Sequence, residues 1–99
     1  MRLSTKQTDI IREETARAFG QGATVHLFGS RVFDHRKGGD IDLYIETELP
    51  PAQAQQAASH LFARLQRRLG EQRIDIVTHC AGQPLRPIDQ AALEHGIRL

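Results

Sequence analysis

The sequence predicts an α/β fold: a small mixed three-stranded sheet with helices packed mainly on one face. Three observations carry that reading. Runs with apolar residues at helical spacing alternate along the chain with short β-branched runs, and Gly or Pro marks the joins. The first two strand-like runs are separated by a connection too short for a crossover helix, so they should pair antiparallel. A long helical run separates the second from the third, which suits a right-handed crossover and a parallel pair.

The elements follow in order. Leu3, Ile10, Ile11 and Ala18 lie on one helical stripe, with Ser4 or Thr5 as cap and Gly20 as stop, giving a helix from about Thr5 to Phe19. Thr24 to Phe28 is a β-branched and aromatic run ending at Gly29, hence a strand. Ile41, Leu43 and Ile45 alternate with Asp40, Asp42, Tyr44 and Glu46, the period-2 pattern of a half-buried strand. Pro50-Pro51 ends it and opens a helix carrying Ala54, Ala57, Ala58, Leu61, Phe62, Leu65 and Leu69, stopped by Gly70. Arg73 to Thr78 is a third strand, Gly82 to Pro87 a loop, and Ile88, Ala91, Ala92 and His95 a last short helix ended by Gly96.

The 99 residues suit one domain spanning positions 1–99. A net charge of +1 gives no reason to expect nucleic acid or an anionic membrane as partner. No apolar run approaches the roughly 20 residues of a membrane helix, and Met1–Lys6 carries no apolar signal segment. One cysteine, Cys80, forms no internal disulfide and fits a reducing compartment. A cytoplasmic protein is expected.

The chemistry is concentrated in two stretches, Leu27-Phe28-Gly29-Ser30-Arg31 and Gly39-Asp40-Ile41-Asp42-Leu43, with a third carboxylate in Arg73-Ile74-Asp75-Ile76-Val77. Ionised carboxylates in strand-like runs are costly unless paired or bound to a cation. The predicted topology brings the end of the first strand (Gly29, Ser30) beside the starts of the second (Asp40, Asp42) and third (Asp75). Three carboxylates on neighbouring strands suit Mg²⁺, a hard cation that takes oxygen ligands and keeps phosphate oxygens in its remaining positions. They can hold two such ions about 3.5–4 Å apart, the arrangement for in-line phosphoryl displacement. Gly29 permits close approach to a phosphate, the Ser30 hydroxyl can donate to it, and Arg31, His35, Arg36 and Lys37 supply positive charge. His26, His60, His79 and His95 lack metal-ligand spacing and read as structural or exposed. Arg64, Arg67, Arg68 and Glu71 read as the solvated end of a helix.

Gly29-Ser30, nine residues, Asp40-Ile41-Asp42 and a later strand with Asp75 together resemble the DNA polymerase beta-type nucleotidyltransferase superfamily. The short chain resembles its minimal nucleotidyltransferase branch, a bare catalytic core commonly paired with a helical HEPN-domain protein in toxin–antitoxin modules. The resemblance implies a nucleotidyltransferase core in which Asp40 and Asp42 bind both metals. Asp75 would bind the catalytic one and orient the acceptor hydroxyl, and Gly29 and Ser30 would hold the triphosphate. It also implies transfer of a nucleotidyl group, AMP from ATP, to a hydroxyl on the HEPN-type partner, within a hetero-oligomer. Gly38-Gly39 departs from the Ser that many relatives carry directly before the first Asp. The alternatives are a non-catalytic antitoxin acting by occlusion and a transferase to a small-molecule hydroxyl.

Overall fold

The structure is a computed structural model that describes residues 3–29 and 40–99. Its elements are α1 (Thr5–Phe19), β1 (Thr24–Phe28), β2 (Ile41–Thr47), α2 (Pro51–Leu69), β3 (Ile74–Cys80), α3 (Pro87–His95) and β4 (Ile97–Arg98). Ser4 caps α1 by a reciprocal box: its hydroxyl accepts from the Gln7 amide at 3.1 Å while its own amide donates to the Gln7 side chain at 2.9 Å. Gly20 ends that helix at φ 89°, in the left-handed region.

The sheet is mixed, in the order β3-β2-β1-β4. β1 and β2 are antiparallel and β2 and β3 parallel, as the connection lengths require. It has four strands where the sequence predicts three. β4 is only two residues long, too short for periodicity to register, and exists because β1 has a free edge to pair with, His26 opposite Arg98.

Val25, Leu27, Ile41, Leu43 and Ile45 line one face and form a single core with Ile10, Ile11 and Phe19 of α1 and Ala54, Ala57, Leu61 and Leu65 of α2. The two helices are also tied by charge. The Glu14 side chain is completely buried, with the Arg64 Nε at 3.1 Å, Arg68 Nη1 at 2.9 Å and Arg17 Nε at 3.5 Å. Arg64 and Arg68 are therefore not the solvated helix end that their spacing implies. They reach across to α1, with Arg68 also holding Glu13 at 2.8 Å.

α3 lies on the opposite face, over Tyr44, whose exposure is zero although it falls in the polar phase of the β2 alternation. Asp89 and Ala92 of α3 are equally buried. Helices thus cover both faces of the sheet, two on one side and a short one on part of the other. Among the described residues no helix is long and apolar enough to cross a membrane.

Candidate active site

The parallel register of β2 and β3 places Asp42 directly beside Asp75. Residues in register on neighbouring strands project from the same face, here the one opposite Ile41 and Leu43. On its other side Asp42 faces Phe28, the last residue of β1, so Gly29 follows immediately at the same end of the sheet. Gly29 adopts φ 77°, and a Cβ built there would overlap the Asp42 carboxylate, with its Cγ at 3.0 Å. Only glycine lets the backbone pass so close to that side chain.

Asp40 sits one residue before β2. The Ile41 amide donates to the Arg73 carbonyl at 2.9 Å, which levels the starts of the two strands. Arg73 then swings its guanidinium to Asp40, Nε to Oδ1 at 3.8 Å, a long and largely exposed ion pair. The third carboxylate is thus turned to an arginine rather than closed on the other two. Among the described residues no group of three His, Cys, Asp or Glu side chains converges as a ready-made metal cage.

Asp42 is the strained member. Burial raises its pKa, and the negative charges of Asp75 and then Asp40 raise it further, together with a hydrogen bond shared with Asp75. Ionised carboxylates in register on neighbouring strands repel each other, and a cation between them relieves that repulsion. A hard divalent cation meets that demand with the donor atoms on hand, and phosphate or water oxygens would complete its shell. Asp42 and Asp75 supply oxygen donors of the kind such a cation takes, while Asp40 is held by Arg73. Ser30 and Arg31, with His35, Arg36 and Lys37, lie outside the described residues.

A second polar cluster on this face escapes the sequence reading. The Tyr44 hydroxyl donates to one Glu46 oxygen, and the other Glu46 oxygen meets His79 Nδ1 at 2.9 Å. His79 Nε2 points at the Gln83 carbonyl, also at 2.9 Å. Arg86 grips the buried Asp89 from the start of α3, with Nε to Oδ2 at 2.9 Å and Nη2 to Oδ1 at 2.8 Å. One signal for it was present: the register that pairs Asp42 with Asp75 pairs Glu46 with His79 four residues later.

A cleft of about 580 Å³ between α2, β3 and the loop before α3 opens beside this cluster, with His79, Gln83 and Arg86 in its lining together with Gln55, Thr78 and Cys80. Asp40, Asp42 and Asp75 do not line it, so this cleft is separate from the carboxylates.

No family model, no curated protein and no solved structure matches the chain.

Proposed function

We propose that the chain is a metal-dependent nucleotidyltransferase that moves AMP from ATP to a hydroxyl on a partner protein. The observation supporting this reading most directly is the in-register Asp42–Asp75 pair with the Gly29 backbone against it. A carboxylate whose pKa is raised by burial and by the neighbouring Asp75 charge, beside a backbone stripped of its side chain, suits a cation and a phosphate side by side. Asp42 and Asp75 would hold Mg²⁺, and Asp40 would join them in exchange for Arg73. When bound, the metal neutralises charge on the departing pyrophosphate and eases ionisation of the attacking hydroxyl. Gly29 admits the phosphates, and Ser30 and Arg31 are assigned to hold them. Asp75, the exposed member of the trio, would orient the acceptor hydroxyl and take its proton as the new phosphorus–oxygen bond forms and the bond to pyrophosphate breaks. By the sequence resemblance, the acceptor is assigned to a second protein of HEPN type.

A second reading, a binding module that silences its partner by occlusion, draws on the Arg73–Asp40 ion pair, which answers Asp40 without a metal. One experiment separates the two. The protein is incubated with Mg²⁺, ATP labelled at the α-phosphate and a HEPN-type helical protein as the acceptor. Label should pass to the partner with wild type and not with Asp42→Asn. Full protection of cells by Asp42→Asn, with no label transferred by either form, would establish occlusion.

A further inference from the structure

We propose that His79 is the latch of a proton-gated clasp: as an imidazolium it pins the loop 81–86 over the outer edge of β3, and as a neutral imidazole it releases that loop. The inference is independent of the proposed transferase activity.

β3 is an edge strand, and its outward backbone groups are an invitation to unwanted pairing. The Arg73 carbonyl and the Ala81 amide, at odd positions, bond inward to β2's side, Ala81 to the Thr47 carbonyl at 2.8 Å. By alternation, the backbone groups of Thr78 and Cys80 point outward. Both outward carbonyls are covered by the loop. The Cys80 carbonyl accepts from the Gln83 amide at 3.1 Å, and the Thr78 carbonyl accepts from Arg86 Nη2 at 2.7 Å. The loop is therefore a guard for half of an exposed strand edge.

His79 fastens the guard to the sheet. Its side chain is only 8 % exposed, and each ring nitrogen faces an acceptor: the Glu46 carboxylate at Nδ1 and the Gln83 carbonyl at Nε2. A neutral imidazole carries one N–H and can satisfy one of them. Both bonds form together only while the Glu46–His79 pair keeps its extra proton. When that proton leaves, the remaining N–H stays with the charged carboxylate, and a bare Nε2 lone pair is left facing the Gln83 oxygen. The Gln83 side is the one that opens.

The groups around the ring favour the protonated form. From β2 come Glu46 and the Tyr44 hydroxyl bound to it; from α3 comes Asp89, and from its cap Arg86, whose charge Asp89 already neutralises; Cys80 is the neighbour on β3. Accordingly the pKa of His79 is raised, first by the Glu46 hydrogen bond against the opposing effect of burial, then by the Gln83 carbonyl and the Glu46 and Asp89 charges. With the folded value above the ordinary 6.5, the stabilisation is complete below that pH and lost as pH rises through the folded value.

Nitrogen-15 NMR of the full chain, labelled at histidine and at the backbone, tests the clasp. Both His79 ring nitrogens should carry protons at about pH 6. The Gln83 amide should shift with the His79 midpoint, and its exchange protection, corrected for base catalysis, should fall about tenfold beyond it, the scale of one ordinary hydrogen bond. His79→Gln, which cannot titrate, should lose that step while keeping the rest of the spectrum. The wild-type titration decides alone where the variant does not fold. An unprotonated Nε2 at about pH 6, or a Gln83 amide indifferent to the His79 midpoint, would overturn the proposal.

Discussion

Gly29→Ala is the substitution on which the site geometry makes its sharpest demand, because two separable costs meet at one methyl group. The first is conformational: φ 77° is open to glycine but costs an L residue about 1–2 kcal/mol, partly returned by the lower entropy of alanine in the unfolded chain. The second is steric. The new Cβ would overlap the Asp42 carboxylate and come within 3.3 Å of the Asp42 Cβ. Asp42 would have to rotate away, at about 0.5–1.5 kcal/mol if pushed off its rotamer. A net loss of about 2 kcal/mol is expected, about half of it belonging to Asp42. For a domain of 99 residues that lowers Tm by about 8–16 °C, at about 4–8 °C per kcal/mol.

The assay is a double-mutant cycle by thermal or urea denaturation of wild type, Gly29→Ala, Asp42→Ala and the double variant. With the Asp42 carboxylate gone the methyl group has room, so Gly29→Ala should cost only its conformational part. A coupling of about 1 kcal/mol is expected, well above the roughly 0.3–0.5 kcal/mol scatter of independent sites. Equal costs in the two backgrounds would mean that the turn after β1 does not lie against Asp42. The proposed phosphate seat beside the carboxylates would then fall with it.

Two further outcomes follow from charge. Asp42→Asn, measured without metal at neutral pH, should be more stable than wild type, since the raised pKa of Asp42 means that its ionisation opposes folding; the advantage should shrink as pH falls through that raised value and wild type gains its proton. Added Mg²⁺ should reverse the ranking, stabilising wild type by about 2.7 kcal/mol at 100 times its dissociation constant and the variant not at all; melting curves with and without Mg²⁺ check both. Glu14 carries the opposite sign, its pKa held below the ordinary 4.5 by the Arg64 hydrogen bond first, against burial, with Arg68 and Arg17 assisting. Its contribution is present above about pH 4.5 and lost as pH falls through the lower folded value, so Glu14→Gln should lower neutral stability and flatten the acid side of a pH–stability curve.

The main elements were legible because each was written in local chemistry. Ser4 stands where the first helix is capped, Gly20 and Gly70 supply the left-handed stops, and the Ile41-Leu43-Ile45 alternation names the core face. The strand pairing was legible too, since connection length alone separates a hairpin-like join from a crossover. What local pattern cannot carry is the effect of a partner element. β4 exists only by virtue of β1, and Arg64 and Arg68 look like solvated charges until Glu14, about fifty positions earlier, is laid against them.

Tyr44 shows the same limit where it matters for the site. Its phase in β2 assigns it to the polar face, and that assignment is correct; what the phase cannot say is that α3 folds over that face and buries it. The face is thereby divided. Toward the starts of β2 and β3, Asp42 and Asp75 stand uncovered by α3, with their charges unanswered by any described cation except through Arg73 on Asp40. Toward the strand ends, Glu46, His79, Arg86 and Asp89 answer one another completely under the helix. Both halves use side chains in register on the same two strands, Asp42 with Asp75 and, four residues on, Glu46 with His79. A buried acid with its own cation is a structural device, whereas a half-buried acid beside another acid is a demand for something from outside. That contrast within one face, rather than the presence of carboxylates as such, is the physical reason for proposing a ligand at Asp42 and Asp75 and a latch at His79.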